Sequence, residues 1–312
     1  MTDSLQDLSR AFHDGTLPRD QYWSAMQERH VRLREYQLLL RETPVEAIRI
    51  GRDDLQLELA NGLRLAWNED DVRTVPNILL HHGEYEADEL DALTRAARGC
   101  RVVIDVGANV GWYSLHLARG LAATGGRVYA MEPVPDTFRA LTRNIELNAL
   151  QDVIVPTNAG FGSEARMISF FVPAFTGSVA ASQRQLFPGE ANREIVCRLT
   201  TLDDFVEEHG IARVDLIKAD VEGAEIDVLR GARRTLARDR PILFLEMLRK
   251  WAAAFDYHPD DIIVLLREYG YRCYSMQGQT LREFEQITEE VGETNFFFLQ
   301  PAHHAALGAH AP

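Results

Sequence analysis

In the first 43 residues, apolar positions recur at helical spacing in a polar, charged background. Phe12, Tyr22, Trp23, Met26, Val31, Leu33, Leu38 and Leu39 carry the pattern, which predicts two helices interrupted near Gly15 and Pro18. Short alternating runs follow at Ala47–Ile50, Leu55–Leu59 and Leu63–Trp67. The Asn61-Gly62 pair between the last two is a hairpin signal, because both residues tolerate positive φ. Helical spacing returns around Glu86–Arg98. From residue 101 the pattern changes: Val102-Val103-Ile104 is a continuous apolar run, as in a strand buried on both faces. Further strands are expected at Arg127–Met131, Val153–Val155, Val214–Lys218, Ile242–Leu245, Tyr271–Met276 and Asn295–Leu299. Amphipathic helices separate most of them. One opens at the Thr201-x-x-Asp204 capping signal, and another carries Ile262, Ile263, Leu265 and Leu266 up to Gly270. Strands alternating with helices of about 10–15 residues predict an α/β domain with a mainly parallel sheet.

This reading divides the 312 residues into a helical extension (1–45), a hairpin and helix (46–98), an α/β domain (99–301) and a tail (302–312) expected to be disordered. The formal charge of -14, from 33 basic against 47 acidic residues, argues against binding nucleic acid or an anionic membrane through bulk electrostatics. No apolar run approaches the roughly 20 residues that span a bilayer. The amino terminus lacks the apolar block of a signal peptide. Cys100, Cys197 and Cys273 are odd in number and widely spaced, without CxxC pairs, which fits a reduced, cytoplasmic protein.

The densest chemistry is Asp105-Val-Gly107-Ala108-Asn109-Val-Gly111, between a buried strand and a helix. Glycines there permit positive φ and close ligand approach, and the helix start offers free N–H groups. Asp105 would repel a pyrophosphate but can pair with a ligand ammonium. The next strand ends in Glu132, placed to accept hydrogen bonds from two ribose hydroxyls. The spacing is GxxxG rather than the GxGxxG of dinucleotide sites. A ribose ligand bearing an amine and no pyrophosphate matches S-adenosylmethionine better than NAD.

Several stretches together resemble the FkbM family of S-adenosylmethionine-dependent methyltransferases. They are VVIDVGANVGWYSLHLAR, VYAMEPVPDTFRALTRNIELN, LTTLDDFVEEHG, VDLIKADVEGAEIDVLRGARRTL and PILFLEM, within roughly residues 75–300 that include Gly83-Glu84-Tyr85-Glu86. The resemblance implies a Rossmann-like class I methyltransferase. Its mainly parallel seven-stranded sheet would carry helices on both faces, with one strand antiparallel in the last hairpin. It also implies O-methylation of a saccharide or small-molecule natural product. Asp105, Gly107, Asn109 and Gly111 would then line the methionine part of the donor, Glu132 the ribose and Asn158 the adenine neighbourhood, with Ala108 and Pro133 also in the cofactor site.

Lys218-Ala-Asp220-Val-Glu222 puts one cation and two acids on one side of a strand end. Glu246 follows four apolar residues and must find a partner or a cleft, since burying it unpaired is costly. Asp220 and Glu246 are candidate bases for deprotonating an alcohol, Lys218 a group that tunes them, and His82 an alternative base. For Glu222, helix capping and function weigh equally. Carboxylates suit Mg²⁺, yet no third ligand declares itself by spacing, so no metal is assigned. The segment Phe170–Ser182, with Thr176 and Ser178, is a candidate hairpin over the acceptor. Competing readings are a nucleic-acid methyltransferase and a non-catalytic donor-binding assembly module. The apolar residues of 1–43 should pack on the α/β domain or pair in a homodimer.

Overall fold

The computed structural model describes residues 4–68, 73–174, 181–187, 189–278, 280–289 and 291–304. The two expected helices are α1 (Leu5–His13) and α2 (Arg19–Leu39), followed by a 3₁₀ turn at Leu40–Glu42. Next, β1 (Val45–Ile50), β2 (Leu55–Leu59) and β3 (Arg64–Trp67) form an antiparallel sheet turning at Asn61-Gly62. Helices α3 (Val75–His82) and α4 (Ala87–Ala96) lead into the α/β region. It runs β4 (Val102–Val106), α5 (Trp112–Ala122), β5 (Arg127–Met131), α6 (Pro135–Leu147) and β6 (Ile154–Thr157). A side sheet of β7 (Gly160–Phe161), β8 (Arg166–Pro173) and β9 (Asn192–Thr200) interrupts the alternation. It resumes with α7 (Leu202–Glu208), β10 (Leu216–Ala219), α8 (Glu225–Arg230), α9 (Arg233–Asp239) and β11 (Ile242–Glu246). Helices α10 (Arg249–Ala254) and α11 (Pro259–Glu268) precede β12 (Arg272–Gln277), β13 (Thr280–Phe284) and β14 (Asn295–Leu299).

The main sheet has eight strands in the order β13-β12-β14-β11-β10-β4-β5-β6. β4, β5, β6, β10 and β11 pair in parallel, and β14 runs antiparallel between β11 and β12. Seven of the strands are those expected. The eighth, β13, pairs antiparallel with β12 alone; its two large apolar residues, Leu281 and Phe284, are too few to stand out in the pattern.

Alternation along each strand divides the core into two layers. Val103 and Phe297 pack into one with Leu115 of α5, while Ile104, Phe296 and Phe298 pack into the other with Leu229 of α8. The sheet is therefore covered on both faces. Leu57, Leu59 and Leu65 of the small antiparallel sheet belong to the first layer, so residues 46–98 share the core of the α/β region.

The amino-terminal helices behave differently. Phe12 stacks on Tyr22 and Tyr36 meets Trp67 edge-on, but no residue of α2 is buried. Trp23, Val31, Leu33 and Leu38 are each more than half exposed. Packing on the chain's own α/β region, one of the two expected outcomes, is not what these four residues do. Of the expected tail, residues 305–312 lie outside the described residues, as do Thr176 and Ser178.

Candidate active site

Between β4 and α5 the chain must turn sharply while staying close to β5 and β10. Gly107 (φ 74°), Asn109 (φ 49°) and Gly111 (φ 94°) all adopt left-handed backbone. The N–H groups of Gly107 and Ala108 both donate to the Met131 carbonyl, at 3.0 and 2.9 Å, which ties the loop to the end of β5. A Cβ at Gly107 would fall on the carbonyl oxygen of Asp220. Only glycine meets both demands there.

Above the carboxyl ends of β4, β5, β10 and β11 opens a cavity of about 520 Å³. Gly107, Ala108, Asn109, Glu132 and Pro133 line it. Glu132 is 5 % exposed. Its two carboxylate oxygens accept N–H groups from Asn109 (3.0 Å) and Val134 (2.9 Å). Burial pushes its pKa up to about 7, against the pull of those donors.

Three expected donor residues sit elsewhere. Asp105 is fully buried inside β4, in register with Lys218 of β10, and does not line the cavity. Its Oδ2 accepts from Ser114 Oγ at 2.6 Å, and Lys218 Nζ lies 3.5 Å from Oδ1. It anchors that lysine rather than a ligand ammonium, because β4 continues one residue beyond it. Gly111 serves helix packing, since a Cβ there would meet Leu141 Cδ1 of α6 at 2.7 Å. Asn158 also lies off the cavity lining; its Nδ2 donates to the carbonyls of Glu132 (2.8 Å) and Pro133 (3.1 Å) and so holds the turn that carries Glu132.

All four proposed catalytic residues, Lys218, Asp220, Glu246 and His82, line the same cavity. Asp220, Glu222 and Glu246 each bring a carboxylate oxygen within 4.8 Å of the others. The third acid that spacing did not reveal is thus Glu246, delivered from β11. Lys218, 4 % exposed, donates to Gly107 O at 3.2 Å and lies 3.5 Å from Asp220 Oδ2. Burial alone would lower its pKa, but Asp220, Asp105, Glu86 and Glu246 outweigh that and raise it, so it stays charged. Burial, then repulsion from Asp220, raises Glu222 and Glu246 well above the usual carboxylate range.

Glu222 does not cap α8, whose N-cap Ala224 makes no side-chain hydrogen bond; Glu225 Oε1 instead accepts the Val221 and Gly223 N–H groups ahead of the helix, at 2.8 and 3.4 Å. Glu222 itself has φ 54°, and its Oε2 is buried with no hydrogen-bond partner among the described residues. Ser182 Oγ donates to the Glu222 carbonyl at 3.1 Å.

Sequence reasoning missed several walls of the cavity. Glu86, at φ 45°, accepts from Tyr113 Oη at 2.6 Å, and Tyr85 lies beside it. Trp251 meets Phe187 edge-on at 5.4 Å and carries Lys250 Nζ 4.0 Å above its ring. The signal for Trp251 was a Trp just past a strand end, which helical spacing equally explains.

The family described as the methyltransferase FkbM domain matches residues 105–273, more than half of the chain. The chain belongs to the FkbM methyltransferase family. The description of that family names a methyltransferase domain. The residues present fit S-adenosylmethionine, the methyl donor implied by the resemblance: the Glu132 carboxylate on the cavity wall would accept ribose hydroxyls, and Asp220, Glu222 and Glu246 on the same wall would favour a cationic sulfonium and ammonium. Hexuronic acid methyltransferase AglP of Haloferax volcanii is 30 % identical over 151 residues, 48 % of this chain and 58 % of that protein. The 31-O-demethyl-FK506 methyltransferase FkbM of Streptomyces tacrolimicus is 30 % identical over 154 residues, 42 % of this chain and 58 % of that protein. AMB antimetabolite synthetase AmbE of Pseudomonas aeruginosa is 29 % identical over 238 residues, 66 % of this chain but 11 % of that much longer protein. The chain thus spans under three fifths of the length of each of these relatives. A crystal structure of methyltransferase FkbM from Methylobacillus flagellatus aligns with a TM-score of 0.40 at 18 % identity, over 64 % of this chain and 43 % of that one. No helix among the described residues is long and apolar enough to cross a membrane.

Proposed function

We propose that this chain transfers a methyl group from S-adenosylmethionine to a hydroxyl of a saccharide or small-molecule natural product. The observation that carries this is the shared cavity: the Glu132 carboxylate lines it together with the Asp220–Glu246 pair. The named activities of the hexuronic acid and 31-O-demethyl-FK506 relatives support the acceptor class.

The bound donor supplies an electrophilic methyl group on a sulfonium. Glu132 and the Gly107–Asn109 loop hold and orient it. The Asp220–Glu246 pair takes the acceptor hydroxyl proton as its oxygen attacks; burial and repulsion from Asp220 raise Glu246 well above the usual carboxylate range, which strengthens it as a base. Lys218 fixes Asp220 and keeps a positive charge beside the pair. Phe187 and Trp251 form an apolar wall for the acceptor body.

Replacing Glu132 with Ala should weaken donor binding at least about tenfold, since each hydrogen bond to a charged acceptor is worth about 1.5–3 kcal/mol. Calorimetry checks this, and a change under about threefold would take the ribose off Glu132. Its pKa adds a signature. Without ligand, Glu132 keeps a proton up to about pH 7, whereas ribose hydroxyls donate best to the ionised form. Donor binding should therefore release a proton below that pH, and affinity should rise from about pH 6 to 8. For stability the sign is opposite to that of a paired carboxylate: the buried acid favours the folded state below its unfolded pKa near 4.5, and that contribution is lost as pH rises through about 7.

A second reading has one observation behind it: the three carboxylates within 4.8 Å could hold a divalent cation that positions the acceptor oxygen. Under this reading, chelation abolishes turnover and Mg²⁺ restores it; under the first, chelation changes nothing.

For residues 1–43 we propose pairing with a second copy through α2, whose Trp23, Val31, Leu33, Tyr36 and Leu38 the chain leaves exposed. Deleting the segment should convert a dimer to a monomer in light scattering. An unchanged mass state would exclude this interface.

A further inference from the structure

We infer that a second cavity, at the opposite end of the sheet, binds a small organic anion with an apolar body. It measures about 480 Å³ and opens beside the residues that precede β4, β10 and β11 rather than those that follow them. Cys100, Ile242 and Phe297 form its floor, and Met276 and Leu281 of the β12–β13 hairpin its wall. The strand that sequence pattern did not anticipate, β13, therefore has a role: it closes this cavity.

Three arginines lie at the rim. Arg95 comes from the last turn of α4, where it pairs with Asp91, Arg98 from just beyond that helix, and Arg213 from the segment before β10; His303 and His304, each accepting at a ring nitrogen, come from the segment after β14. Basic residues at a helix C-terminus are expected for the helix dipole alone. That accounts for Arg95 and Arg98 but not for Arg213 or the histidines, which converge from two other elements. The acid on the lining, Asp215, is already engaged. Its Oδ2 accepts the Arg101 and Val102 N–H groups at 2.8 and 3.0 Å, and its Oδ1 pairs with Arg213 Nε at 3.1 Å.

His304 Nδ1 accepts the Gln300 N–H at 2.9 Å, which leaves Nε2 as the donor. Burial lowers the His304 pKa, a hydrogen bond to the Arg240 backbone works against it, and His303 and Arg213 nearby lower it a little further. Arg240 hydrogen-bonds His303 and adds another cation behind the rim. Guanidinium forks match carboxylate and phosphate geometry, and the floor offers carbon to a body attached to either. The ligand class is thus a carboxylate or phosphate monoester bearing an alkyl or aryl group.

Isothermal calorimetry on the full chain tests this, with sodium octanoate and inorganic phosphate as probes. Octanoate is expected to bind, with inorganic phosphate at least about tenfold weaker because it leaves the apolar floor uncovered. The Arg98→Ala/Arg213→Ala double variant should weaken octanoate at least about tenfold, whereas Lys250→Ala, in the first cavity, should not change it. Four results would overturn the inference: no octanoate binding, equal affinity in the double variant, phosphate binding as tightly as octanoate, or a loss with Lys250→Ala that moves binding to the first cavity.

Discussion

Asp220→Asn and Glu246→Gln should each lower turnover by about 10²–10⁴ while leaving donor affinity within about threefold. Both amides keep the side-chain shape and remove only the capacity to hold the acceptor proton. Glu246→Gln should not cost stability, because burial and repulsion from Asp220 already penalise its charge, whereas Asp220→Asn also takes an ion-pair partner from buried Lys218 and should lower the melting temperature. A melting temperature for Glu246→Gln equal to or above wild type, and retained donor binding by both variants, would separate this loss of chemistry from a loss of fold. The pH profile is a second readout. A base acts only when deprotonated, so turnover should rise with pH along a limb above the ordinary carboxylate range, and the limb should move or vanish in the variants. Full activity in both amides would place the base elsewhere, with His82 the next cavity residue to test.

Gly107→Val should abolish donor binding, and the structure gives two reasons rather than one. The residue sits at φ 74°, where a β-branched side chain is strained, and its Cβ would land on the Asp220 carbonyl. The loop and the base would therefore be displaced together. Gly107→Ala carries the same clash with less bulk and should lose both binding and turnover to a lesser degree. Asn109→Gly, at φ 49°, should relieve strain and fold normally. Calorimetry with circular dichroism as the folding control reads all three. Unchanged donor affinity in a folded Gly107→Val protein would remove this loop from the donor site.

The sheet was legible because buried parallel strands write themselves as short apolar runs, and Arg127–Met131 and Asn295–Leu299 match the observed strands to the residue. β13 was not legible, since a five-residue edge strand paired on one side needs few apolar positions. The site shows the same division. Gly107, Ala108, Asn109, Glu132, Lys218, Asp220 and Glu246 follow from motif and strand ends, because α/β sheets put their chemistry there. Asp105 was misplaced by a single residue of strand length, which turns it from the cavity to the buried Lys218. The closeness of Glu246 to Glu222 depends on how β11 lies beside β10, a pairing that no spacing within either segment records. Glu86 and Trp251 reach the cavity from helix ends, where sequence pattern reports burial but not direction.

The most direct test of the central claim is mass spectrometry of a panel of hydroxylated sugars and small metabolites incubated with the full chain and S-adenosylmethionine. The account requires a product heavier than its acceptor by one CH₂, formed together with S-adenosylhomocysteine and reduced by about 10²–10⁴ in the Asp220→Asn protein. Methyl transfer to an acceptor nitrogen or carbon, or a product yield that Asp220→Asn and Glu246→Gln leave untouched, would contradict it.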